Sequence, residues 1–187
     1  MAHGDCASQV CNYSQPSYLG GSCAAPSEVV YVDNHNGTCT ADGDGDSIAT
    51  ALCTLSDGLA RIDGIHKRVV RLLPSAADYG SATVVDQSVS IIGPGGASGS
   101  AQLRGNKKNA EGMLVLNDGV TILGNSRVFI DGIDVTSSNV GILCNGADSA
   151  SLSVRKSRIT SNSDIGILVS ECTVSIDRVL LRDNGSG

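Results

Sequence analysis

The chain has 187 residues, a net charge of −6, 23 Gly, 7 Cys, and only 4 Tyr and 1 Phe as aromatics, with no Trp. That length suits one domain with a sizeable core. Thirteen Lys+Arg against nineteen Asp+Glu, without a basic block, leave no electrostatic footprint for nucleic acid or an anionic membrane, and no apolar run reaches the roughly 18 residues that span a bilayer.

The first 28 residues are a Ser/Gly/Cys-rich leader, and Met1-Ala2-His3-Gly4-Asp5 lacks the apolar region of a signal peptide, so the start reads as a mature or trimmed end. Cysteines concentrated before residue 54 fit an oxidising compartment, hence a secreted or cell-surface protein. Zinc fits poorly, because there is no CxxC and His3, His35 and His66 stand in unrelated contexts. Cys6, Cys11 and Cys23 are expected to staple the leader, with their connectivity open and one thiol left over from the odd count. Asn12-Tyr-Ser14, Asn36-Gly-Thr38 and Asn184-Gly-Ser186 match the glycosylation acceptor pattern and mark surface loops.

Asp42-Gly-Asp44-Gly-Asp46 alternates carboxylates as a Ca²⁺ loop does, but the sixth position is Ser47 rather than Gly and the twelfth is Cys53 rather than Glu. Asp42, Asp44 and Asp46 are therefore candidates for a partial Ca²⁺ site, set against a solvated turn with its acids near a helix N-terminus. From about residue 46 to 62, Ile48, Ala51, Leu52, Leu55, Leu59 and Ile62 recur at three- and four-residue steps and predict an amphipathic helix. Asp46 or Ser47 supplies its N-cap, and Gly58 is a point where it can stop.

Beyond residue 68 the chain becomes short β-branched runs broken by Gly, Asn, Asp and Ser: Arg68 to Leu73, Ser88 to Ile92 and Val120 to Leu123. Gly93-Pro-Gly-Gly96 is a turn, since neither a helix nor a Lys follows in the phosphate-loop arrangement. Self-comparison aligns Val128-Phe-Ile130, Leu152-Ser-Val154 and Val174-Ser-Ile176 at steps of 24 and 22 residues. Ile133, Ser157 and Val179 follow in step, then Val135, Ile159 and Leu181, then Ser138, Asn162 and Asn184. Val140 to Cys144 and Ile165 to Val169 form a further aligned run, one residue out of step.

A repeat of this length cannot bury its apolar face alone, so copies must stack. The leucine-rich-repeat pattern is missing, and β-branched residues favour all-strand coils. The expected fold is all-β: a parallel β-helix whose open end is covered by the amphipathic helix. Asn162 and Asn184 are expected at one corner, tolerating left-handed backbone and bonding between coils.

Tyr31-Val-Asp33, Cys39, Leu52-Cys-Thr-Leu55, Val69-Val-Arg-Leu-Leu-Pro74, Tyr79 and Val89-Ser-Ile-Ile-Gly93 together resemble the exported bacterial right-handed β-helix repeat proteins of the pectin-lyase-like superfamily. The resemblance covers about residues 29 to 187. It implies a disulfide between Cys39 and Cys53, and it leaves activity open, because that superfamily includes lyases, hydrolases, epimerases and adhesins. Asn184-Gly-Ser-Gly187 stops where the earlier units continue into a strand, so the last coil is expected to be incomplete and the chain a fragment or dependent on a partner. Bare strand edges there predict self-association by strand addition.

Catalysis on such a fold is expected on an outward strand face. Asp131, Arg155 and Asp177 share one column of the repeat, and Gly132, Lys156 and Arg178 the next. Asp131 and Asp177, two strands apart, would stand about 9.6 Å from each other, near the upper limit for an inverting glycosidase pair. Against this, Arg155 between them favours ionisation of both, and an acid-base-acid ladder that fixes register is the stronger reading. Arg155, Lys156, Arg158 and Arg178 could supply a lyase base, but no acidic Ca²⁺ cage accompanies them, and the polygalacturonase signatures Asn-Thr-Asp, Gly-His-Gly and Arg-Ile-Lys are absent. Phe129 should face outward as a single exposed ring, weak support for a glycan groove. Cys144 and Cys172 are read as small buried hydrophobes, with a disulfide as the alternative. The leading function is a non-catalytic scaffold or adhesive module, partnered by polysaccharide or by itself. The alternative is a polysaccharide lyase or glycoside hydrolase with its site incomplete in this chain.

Overall fold

The computed structural model describes residues 10–12, 22–35, 39, 42–94, 101–108 and 114–185. In chain order the elements are β1 (Cys11–Asn12), β2 (Ser22–Cys23), β3 (Val29–Val32), α1 (Leu55–Ala60), β4 (Val69–Leu72), β5 (Ala82–Val85), β6 (Ser88–Ile92), β7 (Gln102–Arg104), β8 (Asn106–Lys108) and β9 (Leu114–Leu116). They continue with β10 (Val120–Gly124), β11 (Arg127–Asp131), β12 (Asp134–Thr136), β13 (Val140–Gly146), β14 (Ser151–Arg155), β15 (Arg158–Thr160), β16 (Ile165–Ser170), β17 (Thr173–Asp177) and β18 (Leu180–Arg182).

The protein is all-β in class, built on three parallel sheets. Their orders are β16-β13-β10-β5, β17-β14-β11-β6-β4-β3 and β18-β15-β12-β7, and the pairs β1-β2 and β8-β9 are antiparallel. The first two aligned repeat units each contribute one strand to each sheet, and the third contributes β17 and β18. Val128 pairs with Leu152 and Leu152 with Val174, and Val135 pairs with Ile159 and Ile159 with Leu181, matching the alignment of the repeats. The six-stranded sheet also extends to earlier strands, through Val30, Val70, Ile91 and Ile130, at steps of 40, 21 and 39 residues.

Alternation decides which side chains enter the core. In β14, Leu152 and Val154 are buried while Ser151, Ser153 and Arg155 face outward and are half-buried. Side chains from all three sheets and α1 meet in one cluster that includes Val30, Leu55, Ile91, Leu103, Ile122, Ile130 and Ile159. The bends repeat as strictly as the strands. Gly132, Lys156 and Arg178 have positive φ after β11, β14 and β17, and Ser137, Ser161 and Asp183 have it after β12, β15 and β18. The left-handed residue is thus the one before Asn162 and Asn184. Those two asparagines instead hold the bends by hydrogen bonds: Ser138 N donates to Asn162 Oδ1, Asn162 Nδ2 to Asn184 Oδ1, and Asn184 Nδ2 to the Ile159 carbonyl.

The segment expected as one helix over 46 to 62 is broken. Ile48–Thr50 is a 3₁₀ turn capped by Ser47, Leu52 is extended and bridges to Val32, and only Leu55–Ala60 is α-helical, capped by Thr54 Oγ1 accepting from Asp57 N. Leu52 satisfies the edge of β3, with Leu52 N donating to the Tyr31 carbonyl and Asp33 N to the Leu52 carbonyl; this pairing overrides helical spacing. Leu52, Leu55, Leu59 and Ile62 are buried as the periodicity implies, whereas Ile48 is exposed. Gly58 lies inside α1 rather than ending it. A Cβ there would stand 2.6 Å from Val32 Cγ2, so glycine lets the helix approach β3.

Val10 and Ala24 of the leader pack on the outward face of the six-stranded sheet against Val29, Val69, Ile92 and Phe129. Phe129 does face outward, but it is buried in this second cluster rather than exposed, because the leader covers that part of the sheet. Among the described residues no helix is long and apolar enough to cross a membrane.

Candidate functional site

Pairing across the six-stranded sheet assembles one outward column from Tyr31, Arg71, Ile92, Asp131, Arg155 and Asp177. Asp131 is buried, and Arg155 reaches back one strand to it: Nη2 lies 2.5 Å and Nε 3.2 Å from Asp131 Oδ2. The Arg155 guanidinium also sits 5.3 Å from the centroid of the Phe129 ring, so an acid and an aromatic face hold one cation. On the other side, Arg71 is half-buried and donates from Nη1 to the Gly93 carbonyl. Burial lowers its pKa from the ordinary arginine value, and the charges of Tyr31 and Asp131 oppose that shift.

Asp177 shares the column but not the environment. It is half-exposed and accepts from Arg178 Nη2 at 2.8 Å. That hydrogen bond, with the charges of Arg178, Arg155 and Lys156, holds its carboxyl below the usual carboxylate range. A general acid needs the opposite shift. Asp177 is therefore ionised at neutral pH, and the ion pair that crosses strands in this column is Asp131–Arg155, whereas Asp177 pairs with its chain neighbour Arg178. The other basic residues fit this pattern. Arg158 donates through Nε to Asp134 Oδ1 at 2.9 Å and through Nη2 to Oδ2, which raises its pKa, while Lys156 and Arg178 occupy left-handed bends.

The three acids before the 3₁₀ turn have separate surroundings. Asp44 Oδ1 accepts from Thr50 Oγ1 at 2.6 Å and from Asp46 N at 2.9 Å, which lowers its pKa, and Asp46 pairs with Lys67 Nζ at 2.6 Å. Asp42 is exposed. Among the described residues no group of three or more His, Cys, Asp or Glu side chains is arranged to hold a metal ion. Cys39 is joined to Cys53. Cys144 and Cys172 also form a disulfide, the alternative to the hydrophobic reading, which ties β13 to the residue just before β17. Cys23 is disulfide-bonded as well. Cys6 and residues 36–38 and 95–100, which include one whole glycosylation pattern and half of the Gly93–Gly96 turn, lie outside the described residues.

A feature that sequence reasoning missed is a half-open cleft of about 390 Å³ beside α1, lined by Asn34, Thr54, Asp78, Tyr79, Ser81 and Arg104. Its residues come from four separate stretches of chain and carry no motif. Asn34 lies just past β3 and Arg104 ends β7, and neither position carries a pattern of its own. Comparison with protein-family models, with curated proteins and with solved structures gives no match for this chain.

Proposed function

We propose that the chain is a non-catalytic module of an exported or cell-surface protein, wound as a right-handed parallel β-helix of the pectin-lyase-like kind and serving as a structural or adhesive scaffold. The observation that carries this reading is the Asp131–Arg155 pair, in which the best-placed carboxylate is buried and bonded to the cation beside it. Three further features support it: strands that return to the same three sheets at repeat steps, side-chain ladders between units, and disulfides, which persist in oxidising compartments. Polysaccharide and a second copy of the chain are the partners this reading anticipates, the latter through the exposed apolar side chains Leu168, Ile176 and Leu181 on β16, β17 and β18.

The test is an ultraviolet and reducing-end assay on uronate and neutral glycans, with and without Ca²⁺, comparing the protein with Asp131→Asn and Asp177→Asn. A scaffold gives no turnover on any substrate. Turnover abolished by both substitutions would overturn the proposal and make the column the active site of a lyase or hydrolase.

A further inference from the structure

The sheet β16-β13-β10-β5 has an outward face unlike those of the other two. Val84, Ile122 and Cys144 point inward and are buried, so the residues beside them in each strand point outward. One outward column is Thr83, Thr121, Leu143 and Leu168. The next is Val85, Leu123, Asn145 and Ser170. No side chain in either column is charged, whereas the sheet β18-β15-β12-β7 turns Arg104, Asp134, Arg158 and Arg182 outward and the six-stranded sheet carries the Asp131 column. Val85 adjoins Leu123, Leu143 adjoins Leu168, and Leu123 and Leu143 are diagonal neighbours about 8 Å apart, so the four form one apolar band across the sheet. Val85 is 49% and Leu168 39% exposed, and the two leucines between them are half-buried.

Acids bracket this face at both ends of its strands. Asp86, Asp148 and Glu171 follow β5, β13 and β16, and Asp118 and Asp164 precede β10 and β16. Asp118 is half-buried and the other four are exposed, and among the described residues no cation pairs with any of them. Asp86 and Asp118 are further held by backbone donors, Asn125 N and Val140 N. Neither the four strands nor the bends that carry these acids contain Lys, Arg or His.

This arrangement selects a partner by charge and size. Two copies of the face would set acid rims against acid rims, and an anionic lipid surface would be repelled as well. Four strands about 4.8 Å apart, the longest of seven residues, present roughly 300 Å². A stable complex of two globular proteins buries roughly 800 Å² on each side, so a short segment fits where a domain does not. Lys and Arg can lay their stems beside the apolar band while their charged heads reach the rims. We propose that this face docks a basic peptide segment of another protein, with Leu or Val side chains on the band from Val85 to Leu168 and Lys or Arg on both flanks against the acids. The face lies apart from the Asp131 column and from the open edge of β17, and its docking does not depend on whether the module is catalytic.

The experiment is a fluorescence-anisotropy titration of the full chain against a labelled, capped peptide that carries Leu and Val between two Lys-Arg pairs. Control peptides replace the Lys-Arg pairs with Glu, or the Leu and Val with Ser. Saturable binding is expected, at least about tenfold weaker for each control peptide. Asp148→Asn/Glu171→Gln and Val85→Ser/Leu123→Ser should each weaken it about tenfold. Asp46→Asn/Asp177→Asn removes the same charge elsewhere and should leave it unchanged. The acid variants lie in exposed bends and keep the test valid if Val85→Ser/Leu123→Ser fails to fold. Absence of saturable binding, equal binding of either control peptide, or equal weakening by Asp46→Asn/Asp177→Asn would overturn the proposal. A dimer in sedimentation equilibrium, or binding to phosphatidylserine vesicles, that Val85→Ser/Leu123→Ser abolishes would also overturn it, in favour of a second copy or a membrane surface.

Discussion

The two edges of the six-stranded sheet are treated in opposite ways. At one edge, β3 is almost wholly buried, because Leu52 pairs with Val32, Tyr31 N donates to the Gly45 carbonyl and α1 packs across β3 and β4. At the other, among the described residues β17 is paired on one side only, and Ile176 is 49% exposed although its register partner Val154 is fully buried. The two side chains have the same pattern position and similar chemistry. The difference shows that alternation sets where a side chain points, while burial depends on whether a neighbour covers both sides of its strand. A gradient of local stability follows, from the covered β3 edge to the open β17 edge.

Truncation at each edge is the strongest way to break that comparison. Leu52→Ala, at a fully buried position, should destabilise by about 3 kcal/mol in urea unfolding, and Leu181→Ala, half-exposed on β18, by less than about 1 kcal/mol. Equal losses would mean that the β18 edge is covered in solution. Removing the disulfides sharpens the same contrast. Loss of either described bridge should cost about 2–4 kcal/mol, and the Cys144–Cys172 pair, with a sequence separation of 28 against 14, about 0.6 kcal/mol more by loop entropy. Hydrogen exchange should then accelerate in β16 and β17 for Cys144→Ser/Cys172→Ser, and around α1 for Cys39→Ser/Cys53→Ser.

The outward column carries the contrast into electrostatics. Asp131→Asn leaves the mostly buried Arg155 without its counter-charge and should cost roughly 2 kcal/mol. Asp177→Asn, at an exposed carboxylate, should leave the neutral-pH unfolding midpoint unchanged within error. Because the folded pKa of Asp177 is depressed, its small contribution is present above the unfolded aspartate pKa and disappears as pH falls below it. Any stability difference between the wild type and Asp177→Asn is therefore confined to pH above the unfolded aspartate pKa, and the two should converge as pH falls through the folded pKa of Asp177.

Much of the fold was legible because each unit repeats its own pattern: β11, β14 and β17, and β12, β15 and β18, stand in the register that their sequences align. The earlier strands β3, β4 and β6 escaped self-comparison because intervening segments, including α1 and the β8-β9 pair, change the step between partners. Helical spacing over Ile48 to Ile62 located a buried face but not its conformation, since a strand edge in need of partners drew Leu52 into extended backbone. In the column, both the alternation of charge and the outward direction could be read. The coverage of Phe129 could not, because Val10 and Ala24 reach it from a distant stretch with no pattern in common. The cleft was invisible for the same reason.

Tyr79 offers the mildest probe, placed at the covered end. Its ring is buried among the core residues, and its hydroxyl donates to the Leu73 carbonyl at 2.7 Å and lies 3.2 Å from that of Val32. Burial, aided by the charge of Asp33, pushes its pKa up to about 12, from an ordinary tyrosine value of about 10. A raised folded pKa means that the protonated phenol is favoured by folding. Its contribution is complete below pH about 10 and is lost as pH rises towards 12. Absorbance of the phenolate at alkaline pH should resolve one tyrosine titrating near 12, and that step should vanish in Tyr79→Phe. The same variant should lose about 1 kcal/mol at neutral pH, the worth of the one hydrogen bond that the hydroxyl donates. Because Tyr79 bridges Leu73, just past β4, to the end of β3, faster exchange in this variant should stay around those strands and leave β16 and β17 unaltered. Acceleration at both ends would instead show that the two edges unfold as one unit, and the stability gradient would not exist.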